Sequence, residues 1–97
     1  MEQTNSPQTI VVNRKNHDFD VYIGRGSPFG NPYKIGEHGT RDEVIEKYER
    51  YFSIKVTRDL IFRKSVLDLR GHVLGCYCKP LRCHGDVIVK FLDDNDK

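Results

Sequence analysis

The sequence has few cysteines, little net charge and no long apolar run. Its three cysteines are an odd number, which excludes a complete intramolecular disulfide framework and favours reduced thiols, metal ligation or catalysis. No apolar stretch approaches the roughly 20 residues that cross a bilayer. The polar stretch 1–8 lacks the apolar centre of a signal peptide. We therefore expect a cytoplasmic protein with no membrane contact.

The formal net charge is only +2, which gives little support for non-specific nucleic-acid binding. Basic residues are spread along the chain. Lys55, Arg58, Arg63 and Lys64 come closest to a patch, and their spacing is typical of a solvated helix face. Nucleic-acid binding stays an alternative that requires the scattered lysines and arginines to converge in space.

A length of 97 residues without internal repeats indicates one domain. We expect this α/β domain to cover residues 8–93, after a disordered tail at 1–7 and before a frayed end at 94–97. A β-branched run predicts a strand at 9–12, apolar–polar alternation predicts a second at 19–23, and we expect a third at 72–78. Helical spacing predicts helices at 41–53 and 58–69, and a last helix that opens at Cys83 or His84. Thr40 and Glu43 match a capping box, and Thr57 is a candidate cap for the second helix.

Residues 24–33, the glycine–proline loop, hold three glycines and two prolines, which excludes regular structure. Glycines permit close backbone approach to a ligand, and the fork of Arg25 suits phosphate or carboxylate. The loop matches neither a Walker loop nor the dinucleotide fingerprint. The candidate ligand-binding residues here are Gly24, Arg25, Gly26, Ser27, Gly30 and Asn31.

Residues 76–84, the cysteine turn, hold all three cysteines and His84. A cysteine at a helix N-terminus is expected to have a lowered thiol pKa, and the free N–H groups of the same helix start bind anions. Cys83 is therefore a candidate nucleophile. Asp86 is either a base or only a partner of the helix dipole. The candidate catalytic residues are Cys83, His84 and Asp86, and the candidate ligand contacts of the turn are Cys76, Cys78 and Arg82.

A metal site is the competing interpretation of the cysteine turn. Cys76, Cys78, Cys83 and His84 offer the four ligands of a tetrahedral zinc site, although the spacing is C-x-C-x4-C-H rather than a paired C-x2-C. Adjacent Cys83 and His84 leave a helix start in different directions, so a three-cysteine site with an open fourth position is geometrically easier.

The second and third predicted strands are separated by a helical crossover, which favours parallel pairing. We therefore expect a small Rossmann-like α/β fold of two or three layers, with about three strands, at least two of them parallel, and three helices. In such a sheet the glycine–proline loop and the cysteine turn emerge at the same carboxyl-end edge, where open α/β sheets bind ligands. This predicts one composite site.

The chain resembles the domain of unknown function 4326 family of bacterial and phage proteins. The matching segments are 22–33 (YIGRGSPFGNPY), 39–44 (GTRDEV) and 69–71 leading into 74–87 (LGCYCKPLRCHGDV). Many members have tryptophan where this chain has Tyr77. The Cys-His helix start is also distantly similar to the domain of unknown function 488 family, although Cys78 and Gly85 replace a glutamate and an arginine of that family. This distant likeness argues mildly against zinc, and neither family implies a reaction.

Together these observations favour a domain that binds a nucleotide-like or other phosphorylated or anionic small molecule. They leave open a cysteine-dependent reaction on that ligand. The first alternative is a zinc-stabilised module, phage-encoded, that binds a host protein. The second is nucleic-acid binding.

Overall fold

The computed structural model describes residues 8–95, which form one three-stranded parallel sheet and three α-helices. In chain order the elements are β1 (Ile10–Asn13), β2 (Val21–Tyr22), α1 (Arg41–Arg58), α2 (Leu60–Leu67), β3 (Val73–Cys76) and α3 (Gly85–Asp94). The strand order is β1-β3-β2, and both outer strands run parallel to β3. The predicted α/β class, with three strands and three helices, is confirmed. The predicted tail at 1–7 and the last two residues lie outside the described part of the chain.

The second and third predicted strands are longer than the observed β2 and β3 because pairing stops early, whereas β1 has the predicted length and is shifted by one residue. Asn13, the last residue of β1, lies opposite Cys76, and Tyr22, the last residue of β2, lies opposite Gly75. Beyond Cys76 no residue of the described chain pairs with this segment as a strand, so Tyr77 and Cys78 belong to the cysteine turn rather than to β3.

The predicted capping box starts α1. Thr40 Oγ1 accepts a hydrogen bond from the Glu43 amide at 3.3 Å, and Glu43 Oε1 accepts one from the Thr40 amide at 2.8 Å. The helix continues to Arg58, further than predicted. Thr57 does not cap α2, because its hydroxyl donates to the Ser53 carbonyl within α1. Asp59 is the cap instead.

Helices cover one face of the sheet. Val11 and Val21 both lie opposite Leu74 in register, so these three side chains point to the same face. Leu74 and Cys76 belong to one buried cluster that also contains residues of all three helices, among them Tyr48, Phe52, Val66, Ile88 and Leu92. None of the helices within residues 8–95 is long and apolar enough to span a bilayer.

The opposite face is covered by the connection between β1 and β2. Because these strands flank β3, the connection must cross it, and it does so at Gly75. A Cβ on Gly75 would lie 2.6 Å from the Phe19 ring. The Arg14 guanidinium lies 4.9 Å from the ring centre of Tyr22 and 5.0 Å from that of Tyr77, which adds cation–π contacts on this face.

We expect Gly75→Ala to lower the free energy of unfolding by about 1–3 kcal/mol, because the added methyl group overpacks against Phe19. Urea denaturation measures this loss. In a Phe19→Ala background the same substitution should cost much less, since the clashing ring is gone. Equal losses in both backgrounds would contradict the crossing described here.

Candidate functional site

A cleft of about 570 Å³ lies at the carboxyl-end edge of the sheet. The glycine–proline loop follows the end of β2 there, and the cysteine turn follows the end of β3. The glycine–proline loop and the cysteine turn both line it. Of the residues singled out from sequence, the cleft is lined by Gly24, Arg25, Asn31, Cys76, Cys78, Arg82, Cys83 and His84. Gly26, Ser27, Gly30 and Asp86 are not among its lining residues. The two segments therefore meet at one place, as their position after parallel strands predicts.

Four cations surround the cleft, and no carboxylate is among its lining residues in the described chain. Sequence reasoning found Arg25 and Arg82 but missed Lys34 and Arg41. A signal for Arg41 was available, because a basic residue in the first turn of a helix opposes the helix dipole. Arg41 Nη1 donates to the Arg82 carbonyl at 3.3 Å, which joins the start of α1 to the cysteine turn.

These cations differ in how far they are already neutralised. Arg82 Nη1 lies 3.0 Å from Asp42 Oδ1 in an ion pair on the rim. Within residues 8–95, Arg25 and Lys34 have no carboxylate partner. Their charge therefore remains available to a ligand.

Several polar groups of the glycine–proline loop serve the loop itself. Ser27 Oγ donates to the Gly24 carbonyl at 2.7 Å and accepts from the Phe29 amide at 3.2 Å. Asn31 Nδ2 donates to the Val44 carbonyl at 3.1 Å, which fixes the loop to α1. A Cβ on Gly30 would lie 2.7 Å from the Gly24 carbonyl oxygen. The loop is thus an internally bonded support that presents Gly24, Arg25 and Asn31 to the cleft.

The three thiols converge on one wall of the cleft. All three Sγ atoms lie within 4.8 Å of one another, and those of Cys76 and Cys83 are 2.8 Å apart. Cys76 ends β3 on its helix-facing side, and Cys83 lies two residues before α3. Both are buried, whereas Cys78 is half-buried, and all three are free thiols. The fold therefore brings together one cysteine from the end of β3, one from the turn after it and one from just before α3.

Hydrogen bonding within the pair separates the two thiol pKa values. The hydrogen bond from Cys83 lowers the pKa of Cys76 to about 6, with further help from the backbone amides of Cys78 and Lys79. The same hydrogen bond, together with burial, raises the pKa of Cys83 above its ordinary value. The prediction of a lowered Cys83 pKa is therefore wrong. The hydrogen bond with the neighbouring thiol and the burial of Cys83 both favour its protonated form.

The start of α3 offers fewer free amides than predicted. The Gly85 amide donates to Cys83 Sγ at 3.3 Å, and the amides of Asp86 and Val87 donate to the Cys83 and His84 carbonyls. These three amides already have acceptors and are not free to bind an anion. The predicted anion site on them is therefore wrong. Any anion in the cleft is held mainly by side chains.

His84 is buried beside the thiols as a neutral ring. Its Nε2 lies 2.7 Å from the Ile23 carbonyl oxygen, and since a carbonyl only accepts, Nε2 carries the hydrogen. Nδ1 then presents a lone pair 3.7 Å from Cys83 Sγ. Burial lowers the pKa of His84, which favours the neutral form. The Tyr48 ring packs edge-on against it, with ring centres 5.2 Å apart.

Asp86 and Asn13 brace the cysteine turn from outside the cleft. Asp86 Oδ1 lies 2.6 Å from Lys79 Nζ, and Asp86 Oδ2 accepts from the Cys83 amide at 3.1 Å. Asn13 Nδ2 donates to the Lys79 carbonyl at 2.7 Å. Nothing in the sequence signals this long-range contact of Asn13. The position of Asp86 fits a supporting role for its carboxylate.

A second groove follows α1 and is wider and shallower than the cleft. It is lined by Tyr33, Lys47, Arg50, Tyr51, Ile54, Lys55, Arg58 and Asp59. Two members of the predicted basic helix face, Lys55 and Arg58, are among them. The groove contains none of the cysteines, and among the described residues it shares only Tyr33 with the cleft.

We expect Asp86→Ala to lower the free energy of unfolding by about 1 kcal/mol, because it removes a hydrogen bond and a half-exposed ion pair. Thermal and urea unfolding measure this. Asp94→Ala is the matched control, since Asp94 pairs with Lys90 only on the exposed surface of the same helix. A loss at position 86 no larger than that at 94 would refute the bracing role.

One family model and two viral proteins match this chain. The model of the family described as Domain of unknown function (DUF4326) matches residues 10–94. An uncharacterised 12.4 kDa protein encoded in the nrdA-td intergenic region of enterobacteria phage T4 is 40% identical, over 86% of this chain and 76% of the relative. An uncharacterised protein of Acanthamoeba polyphaga mimivirus is 29% identical, over 88% of this chain and 78% of the relative. No solved structure matches the chain. Since the family model spans nearly all the described residues, this chain belongs to the DUF4326 family.

Proposed function

We propose that the domain binds a small phosphorylated, nucleotide-like ligand in the cleft between the glycine–proline loop and the cysteine turn. The observation that carries the proposal is the ring of four cations, Arg25, Lys34, Arg41 and Arg82, around a cleft that no carboxylate of residues 8–95 lines. An anion there gains charge-assisted hydrogen bonds and meets no carboxylate among the described lining side chains.

Two of these cations are well placed to hold a phosphate. The planar fork of an arginine donates two parallel hydrogen bonds to one phosphate, which fixes its orientation as well as its charge. Arg25 has no carboxylate partner within residues 8–95, and Arg41 uses one Nη1 contact to a carbonyl. Arg25 and Arg41 therefore form the primary phosphate-binding pair of the proposal.

The size and walls of the cleft suit a ligand larger than phosphate alone. Its volume of about 570 Å³ falls within the usual range for small-molecule sites. Tyr33 and Tyr77 line it, and Tyr77 is 53% exposed. Aromatic rings of this kind stack with nucleobases. A mononucleotide combines the charge and the flat apolar surface that these walls complement.

The glycine–proline loop supports binding by being ordered before the ligand arrives. The Tyr22 hydroxyl donates to the Arg25 carbonyl at 2.9 Å, in addition to the bonds of Ser27 and Asn31. A preformed loop loses little conformational entropy on binding, so more of the interaction energy appears as affinity.

The test is a titration of reduced protein with inorganic phosphate and with adenosine monophosphate, followed by backbone amide shifts in NMR at low ionic strength. We expect saturable shifts confined to the glycine–proline loop, the start of α1 and the cysteine turn, with the mononucleotide binding more tightly. Added salt should weaken binding, because the cations are partly exposed.

Arg25→Gln and Arg41→Gln should each raise the dissociation constant about tenfold, the effect of losing one charge-assisted hydrogen bond. Lys64→Gln is the control, since Lys64 lies on the exposed surface of α2 beside Asp68. An absence of saturable shifts with either probe, or equal weakening by all three substitutions, would refute the proposal. Tight binding of a single-stranded oligonucleotide without mononucleotide binding would also refute the proposal and favour nucleic-acid binding instead.

A further inference from the structure

We infer that Cys76, Cys78 and Cys83 together bind a thiophilic metal ion, tested here as Zn²⁺, on the wall of the cleft, with its fourth coordination position open towards the cleft. Only the identity of the fourth ligand rests on the proposed function. The metal site itself stands on the positions of the three sulfurs.

The distances between the sulfurs are close to those that a tetrahedral ion requires. With Zn–S bonds of about 2.3 Å, two sulfurs of a tetrahedral site lie about 3.8 Å apart. The three Sγ atoms here lie within 4.8 Å of one another, with one pair at 2.8 Å. Binding therefore requires the close pair to separate by about 1 Å. Side-chain rotation can supply that shift without moving the strand or the helix.

The surroundings of the sulfurs resemble the outer shell that supports metal ligands. The Gly85 amide donates to Cys83 Sγ at 3.3 Å, and the nearby backbone amides of Cys78 and Lys79 lower the pKa of Cys76. Such hydrogen bonds stabilise thiolate and orient it towards an ion. Three cysteines packed only as small apolar groups would gain nothing from this arrangement.

The backbone that carries the ligands is also held in place. Asn13 fixes the Lys79 carbonyl, and Asp86 fixes the Cys83 amide. One brace acts just after Cys78 and the other acts directly on Cys83. Because metal sites require their ligands in a defined geometry, bracing on both sides of the turn favours a preformed site.

The fourth position opens into the cleft. The group of mutually close ligand atoms contains the three cysteines and not His84, whose ring is bonded through Nε2 to the Ile23 carbonyl. All three cysteines line the cleft, so an ion bound to them faces its interior. Zn²⁺ with three thiolates carries one net negative charge, which Arg25, Arg41 and Arg82 on the same cleft offset. The fourth ligand is then water or the phosphate of the bound molecule.

Formation of the site is an ion exchange without any redox step. Each thiol that still carries a proton releases it as its Zn–S bond forms, so the three ligands enter as thiolates. The released protons pass to the solvent.

The first experiment measures metal content and ligand type in the whole reduced protein. Mass spectrometry under native conditions and elemental analysis, after zinc addition and removal of the excess, should give one zinc per chain. X-ray absorption at the zinc edge should show three sulfur neighbours and one oxygen or nitrogen neighbour. Less than one zinc per chain, or fewer than three sulfur neighbours, would overturn the inference, and neither readout needs a variant.

Substitutions then assign the ligands. Cys78→Ser is the main variant, because Cys78 is the least buried of the three and its replacement is the least disruptive to the core. We expect it to weaken zinc binding at least tenfold in competition with a chromogenic chelator. Leu81→Ser, an exposed position in the same turn, is the control and should bind zinc as the natural chain does. Equal affinity in the two variants would refute the assignment.

A final pair of measurements separates this inference from the proposed function. Cobalt-loaded protein has visible bands that report its coordination, and inorganic phosphate should change them if it takes the fourth position. Phosphate and adenosine monophosphate titrations of metal-free protein test the cations alone. If zinc has three sulfur ligands but phosphate changes neither the cobalt bands nor the NMR shifts of the backbone amides, the metal site stands and the proposed anion site is wrong. If the protein binds anions but takes up no zinc, the proposed anion site stands and the metal site is wrong.

Discussion

The structure depends on β3, which pairs in parallel with β1 on one side and with β2 on the other. Parallel pairing sends the ends of β2 and β3 to the same edge, and so brings the glycine–proline loop to the cysteine turn. It also forces the connection from β1 to β2 across the face of the sheet, where Gly75 leaves room for the Phe19 ring. The cleft and the crossing are two results of one arrangement of strands.

Long-range polar contacts turn this arrangement into a defined cleft. Asn13 reaches from the end of β1 to the cysteine turn, and Asn31 reaches from the glycine–proline loop to α1. Asp42 and Arg82 join α1 to the cysteine turn at the rim. Each contact is modest in energy, but together they tie the three walls to one another.

Sequence reasoning succeeded where the signal was local or followed from topology. The capping box of α1 depends on Thr40 and Glu43 alone, and the meeting of the two loops follows from parallel strands. Sequence reasoning failed where contacts with residues distant in sequence decide the structure. Pairing with β1 ends β3 at Cys76, and the contact of Cys83 with Cys76 reverses the expected shift of its pKa. The amides of the α3 start are occupied by Cys83 and His84, which spacing alone does not reveal. Arg41 joins the cleft only because α1 begins beside the cysteine turn.

The shortness of β2 also limits association between copies of the molecule. A strand at the edge of a sheet presents unpaired amides and carbonyls on which another chain can add a strand. β2 has only two residues, Val21 and Tyr22, before the glycine–proline loop turns away. An edge of that length gives a second chain too few backbone partners for stable pairing, so this side of the sheet resists the edge-to-edge association that leads to aggregation.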